Sequence, residues 1–223
     1  MRYNMAFLSL LVLLLNQSLC AQVTAYSYDP NAIDKALAAQ LDSLYKEDQQ
    51  YRIALGKLKK EGAPQKSVDS LTALLKQADS SNLVFVEQLI AQHGWITPGQ
   101  AGFMGTQAVF LVIQHADLEA QKKYYPLIKQ AEKDGNILSS NVAILEDRIA
   151  VREGKPQPYG SQGYYDAEKK KTYVYPLKDL NNLDSLRKSM GLQPMKEYIK
   201  DWNPEDYTSY LPYATELLKK QVQ

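Results

Sequence analysis

The chain has 223 residues, with 26 Lys and Arg against 25 Asp and Glu, and 45% of its residues are hydrophobic. A net charge of +1 argues against nucleic acid as a partner, because a phosphate backbone is bound through clustered cations. The single cysteine, Cys20, lies ahead of the expected leader cleavage, which excludes disulfides, thiolate nucleophiles and cysteine metal ligands from the mature chain.

Arg2 precedes an apolar stretch from Met5 to Leu15, and Asn16, Gln17 and Ser18 lead into Leu19, Cys20 and Ala21. This is the layout of a secretory signal peptide over residues 1–21, cleaved before Gln22, so export to the periplasm or beyond is expected. The apolar stretch is shorter than the roughly 20 residues that a spanning helix needs, so no membrane span is expected. A lipid-modified Cys20 is the rival, weakened by Leu19 where lipoprotein signals carry a small residue. After a short lead over 22–30, the pattern predicts one mainly α domain over 31–200, a single-domain helical bundle with a β-hairpin at 157–177, and a C-terminal helical extension over 201–223.

Asp29 and Pro30 read as the start of a helix running to Lys60. Its apolar face, Ile33, Leu37, Leu41, Leu44, Tyr51 and Leu55, is interrupted by Asp48, with Arg52 one turn on; the two read as a pair that satisfies itself at the helix surface, with an acid pointed at a pocket as the rival. Ser67 opens a second helix ending at His93 and Gly94, with Asn82 and His93 on its buried stripe. Trp95 then plugs the core, followed by a turn at Ile96–Gly99. The segment Gly102–Ala116 is apolar all round, as in a helix surrounded by others, although the run Ala108–Ile113 also suits a strand. This run ends abruptly in Gln114, His115, Ala116 and Asp117, a polar cluster at the end of the most buried element. Asp117 caps a helix over Leu118–Lys133, and Ser139 or Ser140 caps one over Asn141–Arg152. Alternating tyrosines from Tyr159 to Tyr165 and from Tyr173 to Leu177 give the hairpin. Short helices follow over Asp179–Met190, Pro194–Ile199 and Pro204–Lys220.

The motifs Gly94-Trp95, Gln114-His115-Ala116-Asp117, Asp147-Arg148 and Gln157 with Tyr159-Gly160-Ser161-Gln162 resemble those of an uncharacterised bacterial family, a domain of unknown function. Asp48-Gln49 with Arg52 upstream, and Arg187, Gly191-Leu192 and Tyr198 downstream, resemble its flanking pattern. Two departures are visible: Ile96 stands where the family has proline, and Ser161 where it has threonine. The resemblance points to residues and implies no reaction.

His115 can move a proton near neutral pH, Asp117 two residues on could orient it or bind separately, and with Asp48, an acid that could point at a pocket, these are the candidate catalytic residues. Arg148 could grip a carboxylate or phosphate. Trp95, Gln114, Gln157, Tyr159 and Gln162 complete a candidate ligand pocket for a small polar or anionic molecule. The competing reading uses the same groups as a purely structural network, since buried polar groups must be paired. With only two histidines, His93 and His115, no metal site is expected, and no cofactor is implied. No Gly-x-Ser-x-Gly elbow supports a serine nucleophile, and glycan hydrolysis would need two of Asp48, Asp117, Glu146 and Asp147 across a cleft. Nine of the sixteen tyrosines lie between Tyr159 and Tyr213, which suits either a glycan or protein partner or simple packing of the hairpin.

Overall fold

The computed structural model describes residues 22–222, so the leader and its cleavage point lie outside the described residues. Helices α1 (Lys35–Lys60), α2 (Gln65–His93), α3 (Pro98–His115), α4 (Leu118–Lys133) and α5 (Ser139–Arg152) form the main bundle. Strands β1 (Gly163–Asp166) and β2 (Lys171–Val174) then form an antiparallel hairpin, followed by α6 (Leu183–Ser189), α7 (Met195–Tyr198) and α8 (Pro204–Val222). The mainly α fold with one hairpin is therefore as the sequence predicts. None of the described helices is long and apolar enough to cross a membrane.

The core centres on α3, whose Ala108, Val109, Phe110, Val112 and Ile113 are buried among Leu41, Leu44, Val86, Leu89, Ile128 and Leu145. The run is helical, not a strand, and each such aliphatic chain contributes about 1.5–3 kcal/mol on leaving water. Packing of α3 on α1 is close because Gly105 lacks a side chain: a Cβ there would lie 3.2 Å from Leu41 Cδ1 and 2.6 Å from Ala101 Cβ. The residues expected as a turn instead begin α3, with Thr97 and Gln100 forming a reciprocal capping box ahead of Pro98. Gly102, at φ 70° and ψ −178°, kinks the helix just after this first turn.

Other boundaries move for identifiable reasons. Asp29 caps only a 3-10 turn over Pro30–Ala32. Asp34 starts α1 instead: its carboxylate accepts from Ala36 N and Leu37 N, and its own amide donates to Gln100 O of α3 at 2.9 Å. Neither serine caps α5, because the Ser139 hydroxyl accepts from Val23 N at 3.0 Å and anchors the N-terminal segment. Asp179 turns toward Asn182 and leaves α6 shorter than expected. His93 is exposed, whereas Asn82 is buried as read.

The hairpin is also shorter. Its register runs from Gly163↔Val174 to Asp166↔Lys171, so Tyr159 and Ser161 fall in a preceding loop, and Leu177 pairs with Gln157 through an isolated parallel bridge. A second core of Val174, Leu183, Met195 and Tyr207 joins the hairpin to α6, α7 and α8. Helix α8 packs on β2, and its Leu218 meets Val151 and Tyr175.

Candidate functional site

Helix α1 presents Asp48 in the row that also buries Leu41 and Leu44, leaving the residue 1% exposed. A carboxylate at such a step needs several donors, and it has them. Nδ1 of His115, the last residue of α3, lies 3.1 Å from both carboxylate oxygens. Gln49 Nε2 donates to Oδ2 at 2.6 Å, and the Arg52 guanidinium reaches both oxygens. Burial alone would raise the Asp48 carboxyl, but the hydrogen bonds and charges of His115 and Arg52 outweigh it and hold the group below its ordinary value. Arg52 also pairs with Asp79 of α2. Burial raises the Asp79 carboxyl, and the negative charge of Asp48 adds to that. The pair Asp48–Arg52 is thus not a solvated surface pair but part of a five-residue group, with Gln49, Asp79 and His115, spanning α1, α2 and α3.

Asp117 makes the helix cap expected of it but does not orient His115. Its carboxylate accepts from Ala120 N at 2.8 Å and caps α4, while Asp48, not Asp117, orients His115. With Nδ1–H donating to Asp48, the imidazole keeps Nε2 as its free basic nitrogen. The cap at Asp117 is still useful, because it ends α3 at His115 and turns the chain there.

One turn apart on α5, Arg148 and Arg152 approach from the other side. Arg152 Nη1 donates to Ala116 O at 2.5 Å, directly after His115, and it feels the charge of Asp117. Arg148 is partly buried, its Nε is sealed from solvent, and that nitrogen has no hydrogen-bond partner. Among the described residues it forms no ion pair either, so it lacks the pairing with Asp48 or Asp117 through which a purely structural network would satisfy it. Burial first, then the nearby Arg152 and Arg52 charges, push the Arg148 guanidinium down to about 10. It remains a cation at neutral pH. Tyr198 is close enough to favour that charge.

The remaining candidates divide between core and loop. Trp95 is a core residue, with Nε1 donating to Asn136 O at 3.3 Å, and it takes no part in the arginine group. Gln114 is buried, and its carbonyl accepts from Gln121 Nε2 at 2.6 Å. Gln157 is fully buried and uses both ends of its amide on the hairpin: Nε2 donates to Gln162 O and Tyr175 O, and Oε1 accepts from Gln162 N. It is a brace, with no group left for a ligand. Gln162 Nε2 turns to Ser161 Oγ. The Tyr125 hydroxyl donates to Glu146, and burial followed by that carboxylate raises the phenols of both Tyr125 and Tyr159.

The loop between α5 and β1 is held by Asp147 and Arg187, two members of the motif pattern. Fully buried Asp147 accepts from Tyr159 N at 2.8 Å and Ser161 N at 2.7 Å. Burial raises its carboxyl to about 6, opposed by those amides and by Arg187. Arg187, 1% exposed, donates to Tyr159 O and Gln193 O, and the Tyr198 ring lies over it at 4.7 Å.

A family model described as a family of unknown function, DUF6624, matches residues 35–208. The chain belongs to that family. No curated protein and no solved structure matches it. In this DUF6624 member, Asp79 and Arg152 were missed by the sequence reading. The signals were present: Arg148 and Arg152 stand at i,i+4 spacing, and Asp79 adjoins Ala78 on the buried stripe of α2. Among the described residues, no group of three His, Cys, Asp or Glu is placed to hold a metal.

Proposed function

We propose that this protein binds a small anionic ligand, a carboxylate or a phosphate, at Arg148 and Arg152, and that His115 serves there as an acid–base group. The observation that carries the reading is the partly buried Arg148, whose Nε is sealed from solvent without a hydrogen-bond partner and whose guanidinium forms no ion pair among the described residues. A cation removed from water is costly unless it is paired, and the neighbouring carboxylates are already engaged. Asp48 is taken by Arg52, His115 and Gln49, Asp117 by its helix cap, and Asp147 by the loop amides. An anion from outside would supply the missing partner, and a guanidinium fork suits a two-oxygen group.

For hydrolysis, Nε2 of His115 would accept a proton from water as its oxygen attacks the bound ligand. The resulting imidazolium would be stabilised by Asp48 through Nδ1–H, and the same proton would then pass to the leaving group. Thermal-shift screening of small carboxylates and phosphate esters tests the binding, with hydrolysis followed for each compound that shifts the melting temperature. Arg148→Met should abolish the shift, whereas His115→Ala should keep it and lose turnover. A ligand shift unchanged in Arg148→Met would refute the reading.

A further inference from the structure

A second cleft, separate from the arginine group, opens between the hairpin turn and the segment linking α7 to α8. It has a volume of about 550 Å3 and is lined by Lys169–Thr172 on one side and by Tyr198–Asn203, Asp206 and Tyr210 on the other. Its cations are not equivalent. Lys171 is neutralised by Asp206 at 2.7 Å and lies over the Tyr210 ring. Lys169 pairs with Asp166 at 3.6 Å. Lys170 and Lys200 are exposed and form no ion pair among the described residues. The left-handed backbone of Lys170, at φ 51°, is unusual for a residue with a side chain and holds it at the tip of the turn.

The walls add flat surfaces and hydrogen-bonding groups. One face of the Tyr198 ring covers Arg187, and its hydroxyl donates to Ser161 O at 3.0 Å, so the ring is fixed while remaining 46% exposed. Trp202 is held against Tyr207, with centroids 5.5 Å apart. Asp201, Asn203 and Thr172 provide acceptors and donors between the rings.

We infer that this cleft binds an acidic oligosaccharide, a chain of sugar rings bearing carboxylates. Fixed aromatic rings suit the apolar faces of sugars, the two free ammonium groups suit widely spaced carboxylates, and Asp201 suits hydroxyl donors. The interleaved Asp201 and Asp206 disfavour a densely charged polyanion such as nucleic acid, which needs uninterrupted cations.

Calorimetric titration of the full chain with trigalacturonate, its methyl ester and hexaglutamate tests this. The acid trisaccharide should bind saturably and more weakly as salt is added, and the uncharged ester should not bind. Lys170→Glu combined with Lys200→Glu should weaken binding by about tenfold or more, a loss of about 1.4 kcal/mol, with an unchanged melting temperature because both side chains are exposed and unpaired. Arg148→Met should bind the trisaccharide as the wild type does. Absent or non-saturable binding, equal binding of the ester, or an unaffected lysine double variant would each overturn the proposal. So would loss of binding in Arg148→Met, which would place the ligand at the arginine group, or preference for hexaglutamate, which would make the cleft a peptide site.

Discussion

Arg148→Met separates a ligand-binding arginine from a structural one by the sign of its effect on stability. In the free protein the guanidinium lies at about 10, below the ordinary arginine value, which means that folding disfavours its charged form. The folded value is depressed, so the penalty is present throughout the pH range below about 10 and is relieved only above it. The depression corresponds to about 3 kcal/mol at full weight, and residual solvent contact reduces it to about 1–2 kcal/mol. Methionine keeps most of the apolar stem and removes the charge, as in other replacements of buried ions by hydrophobic residues. Urea unfolding at neutral pH should therefore show Arg148→Met more stable by about 1–2 kcal/mol, equivalent to a melting temperature about 2–8 °C higher for a chain of this size. A loss of more than about 1 kcal/mol would mean that Arg148 holds the fold together, and the argument from its missing partner would collapse.

Three further outcomes follow from the same geometry. Asp48→Asn should destabilise by about 2–4 kcal/mol, since Arg52 loses one of its two carboxylates and His115 its anchor. Because the Asp48 carboxyl is held below 3.8, its contribution is present above that value and lost as pH falls through the lower folded value, so acid unfolding of the variant should be less steep. For Asp147, raised from 3.8 to about 6, the sign reverses: its contribution falls as pH rises through that window. Urea midpoints measured across the window should show this term in the wild type and not in Asp147→Asn. Gly105→Ala gains about 1 kcal/mol in helix propensity, but crowding against Ala101 and Leu41 should exceed it. Thermal melts by circular dichroism should show a net loss of about 1–2 kcal/mol.

The bundle was legible because its signals are local and repeated: the apolar run through Ile113, the Asp117 cap and the Gly94 stop each act within a turn or two. Asp48 stood out at a core-facing step, but Arg52 one turn on made the two read as a surface pair, and the structure buries the acid instead. What stayed hidden depended on distant partners. Ser139 has the chemistry of a cap, yet Val23, far away in the chain, claims its hydroxyl. Asp117, two residues away, is the partner that the sequence offers His115, and only the packing of α1 on α3 puts Asp48 there instead. Gln157 looks available for a ligand because no spacing rule reveals that the hairpin already occupies its amide, and none reveals that Asp147 and Arg187 hold the backbone of Tyr159. The surplus cation of the α5 arginine pair was equally invisible, since a missing partner has no sequence pattern.

The bracket around Tyr159–Ser161 has a bearing on where this chain can be cut. Its acid, Asp147, and the amides it holds all precede the hairpin, whereas its base, Arg187, follows it. The exposed turn 167–170 lies between them, so opening the backbone there separates donor from acceptor without removing either. Each fragment would carry one half of a charged, buried lock, together with one strand of the hairpin to align it. The fold thus contains a natural seam: two pieces divided at that turn hold complementary surfaces for reassembly, whereas a break between Ser161 and the end of α5 would divide the loop from the carboxylate that shapes it.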